Sequence, residues 1–375
     1  MEYPPAIRRL LDGAKADAGD TVAVVARGDR LEGVVMPHHA FSGSDILTLK
    51  LGNGYNIGID VQDITRVDLV SKHAPVRKTA SAVPRTGRLP VLSVLGTGGT
   101  IASYVDYRTG AVHPAVTAEE LVFSVPELME LADVKARVVY SVYSENLKPA
   151  NWQHLATEAE KELNAGADLG EVVAVMHGET GDTFCVVHRG AKVRKMHASR
   201  RDAFRSMNAT PLGKVHFDGR VDLDADLRRR SKGPAVADPR LDPDVALIWF
   251  HPGMKPEALA HSLEPAHGAV IAGTGLGHVA HDLIPVLAAA AKAEKPIVMT
   301  TQTLQGRVGM RVYDTGRDLL QAGVIDGQDM LPEVAFVKLM WALGRTKDPA
   351  EVARLIATDV AGEINPRIGL DEFAE

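Results

Sequence analysis

A single cysteine, Cys185, stands in a chain of 375 residues. That excludes a disulfide framework and any zinc site built from several cysteines, and it fits a reducing cytoplasm. No apolar run approaches the roughly 18 residues that a membrane-spanning helix requires. Met1-Glu2-Tyr3-Pro4-Pro5 offers neither a basic region nor an apolar core, so no secretory signal is expected. Positive charge is also short: 42 Lys and Arg stand against 48 Asp and Glu, a net charge of −6. Such a chain is not as a whole a nucleic-acid binder, and RNA contact would need a local patch or a partner. What is present is a globular composition, 45% hydrophobic and 24% charged, with mean hydropathy near zero. Disorder, collagen and coiled coil are excluded, and the length favours two or three domains.

Residues 1–72 read as one small unit. Ile7, Leu10, Leu11 and Ala14 mark one face of a short helix over Ala6–Ala18. Five β-rich runs follow: Thr21–Arg27, Leu31–Met36, Ile46–Leu51, Tyr55–Asp60 and Ile64–Val70. Gly28-Asp29, Ser42-Gly43-Ser44-Asp45 and Gly52-Asn53-Gly54 supply turns between them. This spacing predicts a small N-terminal β-barrel. Residues 73–89 hold Pro75, Pro84 and several basic residues and read as a linker.

From residue 90 the pattern becomes α/β. Strands are expected at Val91–Leu95, Ala136–Val142, Glu171–Met176, Ala246–Phe250, Gly268–Ile271 and Ile297–Thr300. Thr117 to Glu120 reads as a capping box, and Asn151 as the cap of a helix that runs to about Asn164 and stops at Gly166. Further helices are expected around Ala280–Lys292, Gly316–Ala322 and Glu333–Leu343. Alternation of this kind implies mainly parallel sheets in two α/β domains, 90–232 and 246–375, with a proline-bearing linker at 233–245.

The sharpest local signal is Leu92-Ser93-Val94-Leu95-Gly96-Thr97-Gly98-Gly99-Thr100-Ile101-Ala102-Ser103. It fails as a dinucleotide fingerprint, because Ile101 occupies the third glycine position, and as a phosphate loop, because no Gly-Lys-Ser/Thr follows. A hydroxyl at the carboxyl end of a strand, Thr100, is a candidate nucleophile beside backbone N–H groups that can hold an oxyanion. The alternative is a tight structural turn.

Gly-Thr-Gly-Gly-Thr-Ile-Ala after a strand resembles the nucleophile motif of the type I asparaginase family. Ser144-Glu145-Asn146-Leu147, the run from His188 to Lys195, Arg201-Asp202-Ala203-Phe204, Gln305-Gly306-Arg307-Val308 and Met330-Leu331-Pro332-Glu333 extend the likeness along nearly the whole chain. Together with the N-terminal unit, the pattern is similar to the D-subunit family of archaeal glutamyl-tRNA(Gln) amidotransferases. The resemblance implies an asparaginase-like two-domain core and release of ammonia from glutamine or asparagine. It also implies an E-type partner that binds Glu-tRNA(Gln) and uses ATP and Mg²⁺, and homodimerisation of this chain within a heterotetramer. No cofactor is expected on this chain. By the resemblance Thr100 is the nucleophile, Lys195 the lysine of the second catalytic cluster, and Ser144 and Glu145 hold the α-carboxylate and α-amino groups of the substrate. Each role suits its residue type: a base activates a hydroxyl, a lysine of lowered pKa moves a proton, and a carboxylate pairs with an ammonium group.

One departure is large. The family carries a block with His-Gly-Thr-Asp-Thr between the helix ending near Asn164 and the strand at Glu171, and here Asn164 to Gly170 leads straight into that strand. Its threonine and aspartate are therefore missing. Strand Ala136–Val142, the helix and strand Glu171–Met176 can form a βαβ unit that moves the last strand into the vacated slot. His177-Gly178-Glu179-Thr180-Gly181-Asp182-Thr183 would then offer Thr180 and Asp182 as surrogates, or it is simply the family's loop ahead of Lys195. His38, His39, His251, His261 and His267 are scattered, and the pair His278 and His281 lacks a third zinc ligand by spacing. Arg228-Arg229-Arg230-Ser231-Lys232 is a basic run that faces RNA, a partner or solvent. Three functions follow as expectations: an ammonia-supplying component of an amidotransferase, a catalytically defective interaction component of the same complex, or a free-standing asparaginase.

Overall fold

The computed structural model describes residues 3–38, 43–52, 55–73, 87–89, 91–98, 103–105, 112–114, 132–165, 172–181, 183–223, 233–367 and 369. The chain divides between Leu147 and Lys148 into two compact units.

The first unit opens with α1 (Pro5–Ala14). Proline at its first turn lacks only an N–H that would have no helical partner, and Lys15 ends the helix in the left-handed region at φ 57°. That stop lies four residues before the expected Ala18. Five strands follow: β1 (Thr21–Ala26), β2 (Asp29–Val35), β3 (Ile46–Leu51), β4 (Asn56–Asp60) and β5 (Ile64–Ser71). They form one antiparallel sheet in the order β4-β3-β2-β1-β5. Ile7 and Leu11, one helical turn apart, pack on Val22, Val24, Val35, Leu47 and Leu49, all fully buried. Among the described residues the sheet has no ladder between its outer strands β4 and β5 to close the expected barrel. It is nevertheless curled. Four strand spacings of about 4.8 Å would separate β4 from β5 by about 19 Å in a flat sheet. Only the turn Val61–Asp63 links them, and four residue steps reach about 14 Å.

Beyond it, β6 (Val91–Gly98) pairs in parallel with β9 (Asp133–Val142), and the short strands β7 (Ser103–Val105) and β8 (Val112–Pro114) form an antiparallel pair. Strand β6 runs three residues past the expected Leu95. Gly98 has φ +84°, and a Cβ there would lie 2.6 Å from the Val142 nitrogen. This glycine of the motif lets two strands meet.

The second unit starts with α2 (Pro149–Asn164). Asn151 is not its N-cap; it sits in the first turn, where its Oδ1 accepts from the Lys148 N–H at 2.9 Å. The Asn164 side chain donates to and accepts from the backbone of Ala235, at 2.9 and 3.0 Å. Next come β10 (Val173–His177), β11 (Phe184–Arg189), β12 (Val193–Lys195), β13 (Phe204–Ser206), β14 (Gly213–His216) and β15 (Val221–Leu223). They build an antiparallel sheet β10-β11-β14-β15 and a hairpin β12-β13. The expectation of mainly parallel sheets fails in this part. Residues 178–183 are too few for a parallel crossover, so β10 and β11 can pair only as a hairpin. Among the described residues the possible βαβ unit shows no ladder between β9 and β10: β10 pairs with β11 and β9 with β6.

After 233–244, which carry no regular structure, comes the parallel sheet β16 (Val245–Trp249), β17 (Gly268–Gly273), β18 (Ile297–Thr301) and β19 (Ile325–Asp326), in sequential order. Five helices accompany it: α3 (Pro256–Leu263), α4 (Ile284–Lys292), α5 (Asp314–Gln321), α6 (Pro332–Leu343) and α7 (Pro349–Ala357). Alternate strand residues serve two cores. Ile271, Ile297 and Met299 face Leu259, Leu287 and Leu319, whereas Val270 and Val298 face Leu339, Val352 and Ile356. A strand covered on both faces reads as a continuous apolar run, which is why these strands were visible in the sequence. Among the described residues no helix is long and apolar enough to cross a membrane.

The two parts of this unit are joined by a buried ion pair. Lys192 Nζ donates to Asp329 Oδ2 at 2.6 Å, and both side chains are fully buried. Asp329 Oδ1 also accepts from the Asn365 N–H at 3.0 Å. Asn208 Nδ2 donates to the carbonyls of Gly306 and Asp329 at 2.9 and 3.0 Å, and its Oδ1 accepts from the Gly306 N–H at 2.7 Å. Removing one member of a buried pair leaves an uncompensated charge, which costs about 3–5 kcal/mol. Asp329→Ala should therefore lower the urea midpoint with a loss of that size, and Lys192→Met combined with Asp329→Leu should recover part of it.

Candidate active site

The register that pairs Gly98 with Val142 sends β6 and β9 out of the same edge of their sheet. Thr100 lies two residues past Gly98 in sequence, outside the described residues, as do the capping box at Thr117–Glu120 and Asp182. Ser144 and Glu145 are described. They form an exposed single turn, Ser144–Asn146, directly after β9, held by the Asn146 N–H donating to the Tyr143 carbonyl at 2.9 Å. Two predicted substrate-binding residues thus occupy the carboxyl end of a parallel strand, where open α/β sheets bind ligands.

Lys195 belongs to the second unit. It ends β12, opposite Phe204, with its side chain exposed and making no hydrogen bond among the described residues. Its backbone is closely controlled. Lys192 and Asn208 flank the hairpin at its base and anchor it through Asp329 and Gly306. Arg194 pairs with Glu333 at 3.1 Å and lies over the Trp249 ring at 5.6 Å. Beyond Lys195, Asp202 accepts two bonds from Arg200 at 2.7 and 2.8 Å and one from Arg205 at 2.8 Å. The Arg200 guanidinium, followed by Arg205, holds the Asp202 carboxyl well below the usual carboxylate range. In the sequence Lys192 is one of several basic residues, with Arg194, Lys195, Arg200 and Arg201. Its full burial had no local signal, since its partner is 137 residues away.

The surrogate loop is a hairpin turn between β10 and β11. The Gly178 N–H donates to the Phe184 carbonyl at 3.1 Å, Thr183 Oγ1 donates to Glu179 at 2.5 Å, and Thr180 is exposed. The structure brings Thr180 into no hydrogen bond with Lys195. His278 Nδ1 is engaged by Thr315 Oγ1 at 3.1 Å, its Nε2 is buried without a hydrogen-bond partner among the described residues, and its ring packs edge-on against Tyr313. Among the described residues Asp242, Asp244 and His267 alone cluster closely enough for a metal ion. Asp242 is already held there by His267 Nδ1 at 2.8 Å and by the Lys347 ammonium.

Comparison with known proteins defines first the class. The structure superposes on the thermostable L-asparaginase from Thermococcus kodakarensis with TM-score 0.65 and 28% identity, over 74% of this chain and all of that one. L-asparaginase I from Vibrio cholerae shares the fold, with TM-score 0.60 at 23% identity over 74% of this chain and 99% of that one. The chain thus has the asparaginase-like two-domain fold. Family profiles agree: the asparaginase N-terminal profile matches 91–168 and 164–229, the glutaminase/asparaginase C-terminal domain 244–356, and the GatD N-terminal domain 16–70. The D subunit of glutamyl-tRNA(Gln) amidotransferase from Pyrococcus furiosus is 41% identical over 96% of this chain and 98% of its own length. That from Methanothermobacter thermautotrophicus is 38% identical over 100% of both chains. The chain belongs to the D-subunit family of glutamyl-tRNA(Gln) amidotransferases.

The same comparisons locate the missing block. The alignment with the Methanothermobacter protein runs over 434 positions while this chain supplies 375, leaving about 59 positions of the relative without a counterpart. The asparaginase N-terminal profile breaks into two stretches that meet at 164–168, between α2 and β10.

A titration should report on the strand that leads to Lys195. His188 in β11 is 2% exposed, its Nδ1 is bonded to Ser206 Oγ at 2.8 Å, and its Nε2 has no partner. Burial, helped by Arg205, pushes its pKa down to about 4. The neutral ring is favoured in the folded state, so its contribution is complete above about pH 6.5 and is lost as pH falls toward 4, by at most about 1.4 kcal/mol per pH unit. Denaturant midpoints measured from pH 7 to 4 should fall in the parent protein and fall less in His188→Asn.

Proposed function

We propose that this chain is the amide-handling component of a tRNA-dependent amidotransferase, and that in its present form it turns over amide only at a residual rate. The observation that carries the first half is identity of 38–41% with D-type proteins of this enzyme across essentially their full length, including the N-terminal profile at 16–70. A free-standing asparaginase has no use for that N-terminal part. In this reading 1–72 is the family's N-terminal domain, 90–232 and 246–375 are the asparaginase-like domains, and 73–89 and 233–245 are linkers.

Thr100 attacks the side-chain amide carbon of glutamine or asparagine, and its proton passes by way of Lys195 to the departing nitrogen. Ammonia leaves, and water then hydrolyses the ester to glutamate or aspartate. Ser144 donates to the substrate carboxylate and Glu145 pairs with its ammonium group. The E-type partner receives the ammonia and activates the glutamyl group of Glu-tRNA(Gln) with ATP and Mg²⁺; no cofactor is assigned to this chain.

The second half rests on a missing block: the relative has about 59 positions that this chain leaves unmatched, and the asparaginase N-terminal profile breaks between α2 and β10. The missing block takes with it the threonine and aspartate that orient the proton relay around Lys195. Members of such a cluster act as a unit, and losing one costs about 10³-fold or more in rate. An exposed Lys195 without those partners supplies a cation but no aligned base.

The test is ammonia release from glutamine and asparagine, with and without the E-type partner. The chain as it stands should run about 10³-fold or more below a family member that carries the block. Inserting that block after Asp168 should restore turnover, and Thr100→Ala should abolish the restored activity. Robust turnover by the unmodified chain that disappears in Thr180→Ala would instead establish the surrogate loop.

A further inference from the structure

Two stretches of the C-terminal part, Gln305-Gly306-Arg307-Val308 and Asp329-Met330, supply no group to the proposed chemistry, yet both reach one residue, Asn208. Asn208 is 3% exposed and has φ 54°, a left-handed backbone that asparagine tolerates better than most residues. Each of its polar groups has a partner. Its N–H donates to Gln305 Oε1 at 3.0 Å, and its carbonyl accepts from Asn365 Nδ2. Its side chain accepts from the Gly306 N–H at 2.7 Å and donates to the Gly306 carbonyl at 2.9 Å. Another bond from Nδ2 reaches the Asp329 carbonyl at 3.0 Å. Gln305 thus binds the backbone of Asn208, and Asn208 binds the backbone of Gly306.

From Asn208 the chain leads directly back into the hairpin that carries Lys195. The Met207 N–H donates to the Lys192 carbonyl at 2.7 Å, Ser206 stands opposite Val193, and Phe204 stands opposite Lys195. Extended backbone covers the interval from Asn208 to Phe204 in about 13 Å. Lys192, the other anchor, ends in a point charge on a flexible stem, which holds the hairpin down but leaves its direction free. A planar amide held by directed hydrogen bonds sets direction as well. We propose that Asn208 is a positioning residue for Lys195. Its side-chain amide, seated in the cradle of Gln305, Gly306, Asp329 and Asn365, sets the line along which β12 presents the lysine. The inference rests on the reading of Lys195 as the amine that moves the proton. Asn208 makes no hydrogen bond to Lys195, so its removal acts on the alignment of the lysine and not on the groups that hold glutamine. A displacement of about 1 Å at a reacting group costs about 10²-fold in rate.

The kinetic experiment uses the full chain with the family's block inserted after Asp168. Lys195→Met should abolish its turnover, which checks the functional reading itself. Asn208→Gly keeps the left-handed backbone and the backbone bonds to Gln305 and Asn365 but removes the side-chain amide. It should lower kcat by about 10- to 100-fold with KM within about twofold of the parent, because only alignment in the transition state is lost. Val352→Ala, a fully buried change in α7 beside Val270 and Val298, should lower stability and leave kcat at the parent value. A second measurement needs no turnover. In the chain as it stands, Asn208→Gly should speed amide exchange at 193–196 and 204–207 by about tenfold or more and leave β16, β17 and β18 unchanged. If the block restores no turnover, or Lys195→Met leaves it intact, the functional reading fails and the inference falls with it. If Lys195→Met abolishes turnover while Asn208→Gly keeps the parent kcat, the inference alone is overturned. An equal fall of kcat in Val352→Ala, or exchange that rises throughout the second unit or at neither hairpin strand, overturns it too.

Discussion

The second unit depends on one ammonium–carboxylate contact from which water is excluded. Lys192 and Asp329 are fully buried, and each alone would be a charge in an apolar interior. Burial pulls the Lys192 pKa down, and Asp329 opposes that shift. The pair does more than cancel charge. Asp329 also takes the Asn365 N–H, and its carbonyl takes the Asn208 amide, so one residue fixes the hairpin, the turn after β19 and the C-terminal segment together. A second buried pair, Lys338 with Glu363 at 2.6 Å, ties that C-terminal segment to α6. Lys195 inherits its position from this network without touching it.

Where patterning was local, the sequence was legible. The expected β3 coincides with the observed Ile46–Leu51, and the other four N-terminal strands differ from expectation by at most two residues at either end, because turn residues punctuate them. Of the C-terminal parallel strands β16, β17 and β18 were equally clear, whereas β19, two residues long, was not. Short strands were not: β12, β13 and β15 have three residues each, too few to show a period. Helices α3 and α7 were missed although both open with proline in the first turn, and Asp348 caps α7 by accepting from the Ala350 N–H at 3.1 Å. That signal was available in Asp348-Pro349-Ala350-Glu351. Of the candidate site, the Ser144–Glu145 turn could be foreseen from the strand before it. The burial of Lys192 and the anchoring role of Asn208 could not, because their partners lie about a hundred residues or more along the chain.

The glycine-rich motif shows how a functional signature and a packing requirement share residues. Gly98 stands in the motif read for a nucleophile and for N–H groups that can hold an oxyanion. In the structure it brings β6 against the backbone of Val142, and the turn bearing Ser144 and Glu145 begins just beyond that contact. The carboxyl ends of the two adjacent strands are spaced by the glycine, which has no side chain to hold them apart.

The bracket between Asn164 and Ala235 bears on how the chain survived the loss of a block. It pins two points 71 residues apart, so everything between them is an excursion whose ends are already fixed. The vacant junction lies inside that excursion. Closure entropy depends on the logarithm of loop length, and lengthening a 71-residue loop by about 59 residues changes it by only about 0.5 kcal/mol. Gain or loss of the whole block is thus nearly neutral for the chain entropy of the surrounding frame. The Asn164–Ala235 bracket therefore adds little entropic resistance to a change in the length of chain it encloses.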